Sequence, residues 1–185
     1  MSRFQEVKKA FAAARKKYDG YYSQCAYFAG AFSRALVDRL EWPRELVTYE
    51  RPGHGPVSRI EDALVLEGDT FWHLGLTLRL QEDATPGDEV RLALRFKRTG
   101  DPTGKEGRYL IELFPGVEFD VTEPTAEAFE PVLDALFDEI TTHFDRGLDL
   151  FLENRSGKLR IPFSPPEPKP PREPKPQPGS PEGAK

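Results

Sequence analysis

The stretch Phe71-Trp72-His73-Leu74-Gly75-Leu76-Thr77-Leu78-Arg79-Leu80 decides how this chain folds. Trp72, Leu74, Leu76, Leu78 and Leu80 alternate with His73, Gly75, Thr77 and Arg79, the period-two pattern of a strand with one buried face. Upstream, Ile60 to Leu66 reads as another strand, joined to it through the turn Glu67-Gly68-Asp69. Downstream, Pro86-Gly87 turns the chain into Val90, Leu92, Leu94 and Phe96, which alternate with Arg91, Ala93, Arg95 and Lys97. A glycine-rich turn, Thr99 to Gly107, leads to Tyr109, Ile111 and Leu113. Pro115-Gly116 then turns the chain into Val117, Phe119 and Val121. Short strands with local turns predict an antiparallel meander of four to five strands.

On either side the period lengthens to that of a helix. Phe4, Val7, Phe11, Ala14 and Tyr18 recur at steps of three and four, with Lys8, Lys9, Arg15, Lys16 and Lys17 away from that stripe or at its edge. Asp19-Gly20 is a break signal. The rhythm then resumes at Tyr21, Cys25, Phe28, Phe32, Leu36 and Leu40, and Pro43 closes the segment. The expectation is two helices, or one kinked at Gly20. After the meander, Phe129, Val132, Leu133, Leu136, Phe137, Ile140, Phe144, Leu148, Phe151 and Leu152 form one stripe, a long helix that starts or bends at Pro131. A meander with one apolar face needs a cover, and the terminal helices supply it. The predicted fold is therefore α+β and two-layered.

Composition divides the chain further. Of 18 prolines in 185 residues, ten fall between Pro162 and Pro181. Residues 1–161 read as a single α+β domain, and residues 162–185 as a disordered tail of polyproline II character. The tail's Pro-x-x-Pro pairs lack the basic residue at the offset that groove-binding segments use.

Charge is segregated. The net is −5, yet residues 1–50 hold nine Lys/Arg against six Asp/Glu, while residues 111–161 hold four against twelve. This balance disfavours a nucleic-acid coat, which needs many cations facing phosphate, and suits an acidic or a basic surface meeting its opposite. One cysteine excludes a disulfide scaffold and a cysteine zinc cage. With no secretory leader pattern and no run of about 18 uncharged apolar residues, the expectation is a cytoplasmic protein away from membranes.

Three sets of residues carry candidate chemistry. Arg79, Arg91, Arg95 and Lys97 share the polar sheet face with His73, beside Phe71, and Arg108 joins them from the next strand. Such a cationic face suits a phosphate-bearing ligand or nucleic acid. Cys25, shortly after the Asp19-Gly20 break, and His73 on a later strand form the second set. A thiol near a helix N-terminus has a stabilised thiolate. A cysteine opening a helix, with histidine on a following strand, resembles the order in papain-like and related cell-wall peptidases. That resemblance implies a cysteine-dependent hydrolase with Cys25 as nucleophile and His73 as base. Ala26 departs from the small polar residue those families place after the cysteine. The third set, Glu112, Glu118 and Asp120 around a turn, reads as an acidic edge.

His54, His73 and His143 show no metal-ligand spacing, and Gly100 to Glu106 lacks the spacing of a phosphate loop; no cofactor or metal is expected. With no convergent catalytic set, the leading expectation is a non-enzymatic binding module, chaperone- or adaptor-like. It would meet a protein partner, or a second copy in a homodimer, through its helix layer or open sheet face. Removal of residues 162–185 is expected to leave the thermal unfolding midpoint of the body unchanged. A lower midpoint would show that the domain extends past residue 161.

Overall fold

The computed structural model describes residues 2–81, 89–100, 107–114 and 116–153. Helix α1 (Arg3–Arg39) leads into a short 3-10 turn (Arg44–Leu46), then strands β1 (Val47–Arg51) and β2 (Gly55–Val57). Helix α2 (Ile60–Ala63), β3 (Val65–Leu66), β4 (Trp72–Arg79), β5 (Glu89–Thr99), β6 (Arg108–Phe114), β7 (Val117–Val121) and helix α3 (Ala126–Glu153) follow. The strands form one antiparallel sheet in the order β2-β1-β4-β5-β6-β7, with β3 also on β4. The α+β architecture of helix, meander and helix stands as expected, with more strands than the sequence suggested.

Two differences have local causes. The loop around His54 is a hairpin, β1–β2. Gly53 (φ 75°) and Gly55 (φ 93°) supply its left-handed positions. Its strands are too short for an alternation to show. The run Ile60 to Leu66, expected as one strand, opens instead with the single helical turn α2, whose Ile60 and Ala63 both point into the core. Their spacing of three is helical, and only Val65 and Leu66 pair with β4.

Helix α1 is continuous through Asp19-Gly20. A mid-helix glycine costs only about 1 kcal/mol relative to alanine, and the residues around it, rich in Ala, Lys and Arg, are strong helix formers. Ser2 caps the start, its Oγ accepting from the Gln5 amide at 3.4 Å. The C-terminus is a Schellman turn. The Trp42 amide donates to the Val37 carbonyl at 2.9 Å and the Glu41 amide to the Asp38 carbonyl at 3.4 Å, with Glu41 at φ 49°. Pro43 follows, where it cannot extend the helix.

Helix α3 begins before Pro131, which lies inside it. Its cap is Thr125, whose Oγ1 accepts from the Ala128 amide. Phe129, Val132, Leu133 and Leu136 enter the core as their spacing predicts. Phe137, assigned to the same stripe, is 51% exposed. It lies next in sequence to Leu136, about 100° around the helix, where the sheet no longer reaches it.

Both helices cover the face carried by Trp72, Leu74, Leu76, Leu94, Phe96 and Ile111. At the centre, the Phe28 ring stacks on Tyr109 at 4.0 Å and 13°, lies 5.0 Å from Phe96 and meets Phe129 edge-on at 5.4 Å. Only the second half of α1 is used in this way. From Ser2 to Gly20 every residue is exposed, and contact begins at Tyr21.

Two glycines make opposite predictions. A Cβ on Gly75 would sit 2.7 Å from the Glu50 carbonyl oxygen of the neighbouring strand, whereas one on Gly20 would meet nothing within 4 Å. Gly75→Ala is expected to destabilise by about 1–3 kcal/mol. Gly20→Ala should lengthen helical order and stabilise by about 0.5–1 kcal/mol. Urea unfolding followed by circular dichroism separates the two.

Candidate interaction surfaces

The open sheet face gathers the residues expected of it. The register pairs His73 with Arg95, Thr77 with Arg91 and Arg79 with Glu89, and it pairs Arg95 with Glu112 and Thr99 with Arg108. Arg79, Arg91, Arg95, Lys97 and Arg108 therefore rise from the face that carries His73. Carboxylates rise from it too: Glu50, Asp69, Glu89, Glu112, Glu118 and Asp120.

Several of these charges are already matched. Arg95 donates to Glu112 at 3.1 Å and to Asp69 at 2.9 Å, Arg91 donates to Glu89 at 2.7 Å, and Arg79 donates to the Glu45 carbonyl at 3.0 Å. Arg95 and Lys97 also lie over the Phe71 ring at 4.7 and 4.4 Å. At Arg91 and Arg95 a phosphate would have to displace carboxylates, while Arg79, Lys97 and Arg108 rise from the same face beside them.

Asp69 is the node of these charge pairings. Its carboxylate accepts from the Phe71 amide at 3.0 Å, lies 3.0 Å from His73 Nε2, and receives Arg95. The Phe71 amide chiefly, then His73 and Arg95, hold the carboxyl below its ordinary value. The arrangement closes the β3–β4 turn, where Thr70 takes φ 71°. It engages His73 with Asp69, on a surface remote from Cys25.

Cys25 lies on the other side of the sheet, fully buried in the middle of α1 rather than at a helix start. Trp72 and His73 are adjacent on β4 and point to opposite faces, so the residue that meets the Cys25 side is Trp72. The sheet stands between thiol and imidazole. Burial pushes the thiol up to about 11, against smaller opposing effects of the Tyr21 hydroxyl and Arg98.

Arg98 was missed by the sequence reading. It pairs with Tyr109, turns to the helix side, and is 8% exposed. One signal could have found it, its step of two from Phe96; in the fold, a Cβ on Gly107 would collide with the guanidinium.

Elsewhere, His54 sits in the exposed β1–β2 turn. Glu112 and Glu118 are cross-strand partners, and Glu112 is engaged by Arg95. Among the described residues no group of His, Cys, Asp or Glu is arranged to hold a metal, and no helix is long and apolar enough to cross a membrane. Residues 101–106 and the tail lie outside the described residues. A cleft of about 200 Å³ opens beside β5, lined by Phe32, Leu76, Leu92, Leu94 and Leu136, with Arg91 among its walls. Sites for small organic ligands run from about 300 Å³ upward, so this cleft is small for one.

Among the described residues, four of the large exposed apolar side chains line up on α1. Phe4 is 70% exposed, Val7 67%, Phe11 65% and Tyr18 51%. These four lie on one side of about 27 Å of helix, from Arg3 to Gly20, in which every residue is exposed among the described residues.

No known protein family, curated protein or solved structure matches this chain.

The surfaces therefore rank by their own physics. On the sheet face Arg91 and Arg95 are already paired with carboxylates, and the thiol and imidazole do not meet. The first half of α1 leaves on the order of 400 Å² of apolar side chain in water. The spacing alone placed that stripe on one helix face without saying what covers it. Lys8 and Arg15 stand at its border, whereas a core-facing stripe keeps its cations on the far side.

Labelling of native Cys25 by a thiol reagent at neutral pH is expected to be slow and to accelerate only with unfolding. Rapid native labelling would overturn the burial described. Because the folded thiol, at about 11, stands above its ordinary value of 9.0, the unfolded chain ionises first. The thiol's contribution is complete below pH 9 and is lost as pH rises through the folded value. Urea midpoints should therefore fall between about pH 9 and about pH 11, and fall less in Cys25→Ala. Tyr21 and Tyr109, raised chiefly by burial, leave a residual slope of the same sign.

Proposed function

We propose that the protein is a non-enzymatic interaction module and that its binding element is the projecting half of α1. The observation that carries this reading is the exposure of Phe4, Val7, Phe11 and Tyr18 on one side of a preformed helix. Anchors at i, i+3 and i+7 are how an amphipathic helix enters a groove on a partner protein. Preformation favours binding, because the helix is ordered before the encounter and its entropy is not lost on association. The sheet and α3 act as the mount that aims it. An adaptor- or chaperone-like role fits a small body of this kind, and the reading includes a cytoplasmic setting, where a lone unpaired thiol stays reduced.

The test is capture from an extract of the source cells on immobilised full-length chain. Wild-type protein should retain a partner in stoichiometric, saturable amounts, and a synthetic peptide of residues 2–22 should compete it off. Phe11→Asp should weaken retention by roughly 30-fold or more, the scale of losing an aromatic hot spot, while its circular dichroism and unfolding midpoint stay as in the wild type. Retention that survives Phe11→Asp would move the binding site elsewhere and defeat the proposal.

A further inference from the structure

The chemistry of the partner is set by what borders the apolar stripe. At 100° per residue, Phe4, Val7, Phe11, Ala14 and Tyr18 fall within about 80° of the helix circumference. Their steps of three and four continue unbroken through Tyr21 and Cys25 into Phe28 and Phe32, so the projecting stripe is the same seam that packs on the sheet further along. A seam this narrow is the heptad pattern of helix against helix, whereas a face laid on a broad surface spans 100° or more.

Cations border the seam on both sides. Lys8 and Arg15 flank one edge, Arg3 and Lys17 the other. From Ser2 to Gly20 six Lys/Arg face two Asp/Glu, a net of +4, and one of those acids, Asp19, lies 3.9 Å from Arg15. These flanking positions are the ones that meet a partner helix and choose it.

We infer that the projecting seam is built for a protein partner with an apolar helix or groove edged by carboxylates. This inference rests on the interaction-module reading above and adds the partner's chemistry to it. Three observations select that occupant. A second copy of the same helix would set Arg3 against Lys8 when parallel, or Arg3 against Lys17 and Lys8 against Arg15 when antiparallel, so like charges would meet in either direction. A second copy's α3 is acidic, but among the described residues its one large exposed apolar side chain is Phe137, which cannot match four anchors. A lipid surface would take a broad apolar face, and here Arg15 and Lys8 lie within about 40° of Phe4.

The seam also specifies shape. Phe4, Phe11 and Tyr18 recur every seven residues, with Val7 and Ala14 between them. A complementary surface places small residues opposite the aromatics and a large one opposite Ala14.

The experiment uses the full chain with two fluorescent helical probe peptides. They share a seam of alternating leucine and alanine and differ in having Glu or Lys at every flanking position. Vesicles of phosphatidylcholine with phosphatidylserine form a third arm, and sedimentation velocity of the chain alone a fourth. The Glu-flanked peptide should bind at least about tenfold more tightly than the Lys-flanked one. Added salt should narrow the gap, and Phe11→Asp should abolish binding. The triple variant Lys8→Glu, Arg15→Glu, Lys17→Glu should invert the preference.

Equal binding of the two peptides, or of neither, overturns the inference. So does preferential binding to the vesicles, or self-association that Phe11→Asp removes. Each of these leaves the interaction-module reading standing as long as capture from extract still depends on Phe11. Loss of that dependence is the separate failure of the reading itself.

Discussion

The packing of Phe28 is the contact on which the rest of the molecule depends. One ring joins three elements: it stacks on Tyr109 of β6, leans on Phe96 of β5 and receives the edge of Phe129 from α3. Phe32, one turn on, meets Phe129 at 90°, and Arg39 closes the far end by donating to Asp134 at 2.7 Å. That exposed ion pair adds little energy. The aromatic junction supplies the apolar burial and fixes where α1 lies along the sheet.

With Phe28 placed, a mismatch of length governs the rest of α1. Thirty-seven helical residues extend about 55 Å, whereas the eight-residue β4 extends about 27 Å. With the C-terminal half anchored by Phe28, Phe32, Leu36 and the Trp42 indole, which donates to the Arg79 carbonyl, the N-terminal half must run past the sheet. Its exposure comes from geometry rather than from composition, because the heptad rhythm is the same in both halves. The alanines and long charged residues that make it a good helix former let it stand without tertiary support.

The sheet enforces a second separation. Strict alternation sends Trp72 to the helix layer and its neighbour His73 to the open face, so groups close in sequence end in different chemical environments. Cys25 and Arg98 share a buried, aromatic-lined space, while His73 joins Asp69 and Arg95 in a surface network. The clustering of Arg79, Arg91, Arg95 and Lys97 was legible from their alternation. Of the carboxylates that offset them, Glu112 was legible as a neutraliser of the patch, whereas Glu89 meets them through strand register and Asp69 through a turn. Register is set by pairing between segments, which no single segment encodes.

Periodicity in the sequence by itself determined the two long helices and the strands from Trp72 to Val121, which of those strand faces are apolar, and that helices cover one side of a meander; the short elements between Val47 and Leu66 were beyond it. Those properties follow from local spacing, since 3.6 and 2.0 residues per repeat each place like side chains together. Tertiary structure alone decided that one uninterrupted seam is core beyond Tyr21 and exposed surface before it, that a thiol and an imidazole lie on opposite sides of a sheet, and that Arg91 and Arg95 are paired with carboxylates. Each depends on how far one element reaches across another, a distance set by packing rather than by any residue's own preference.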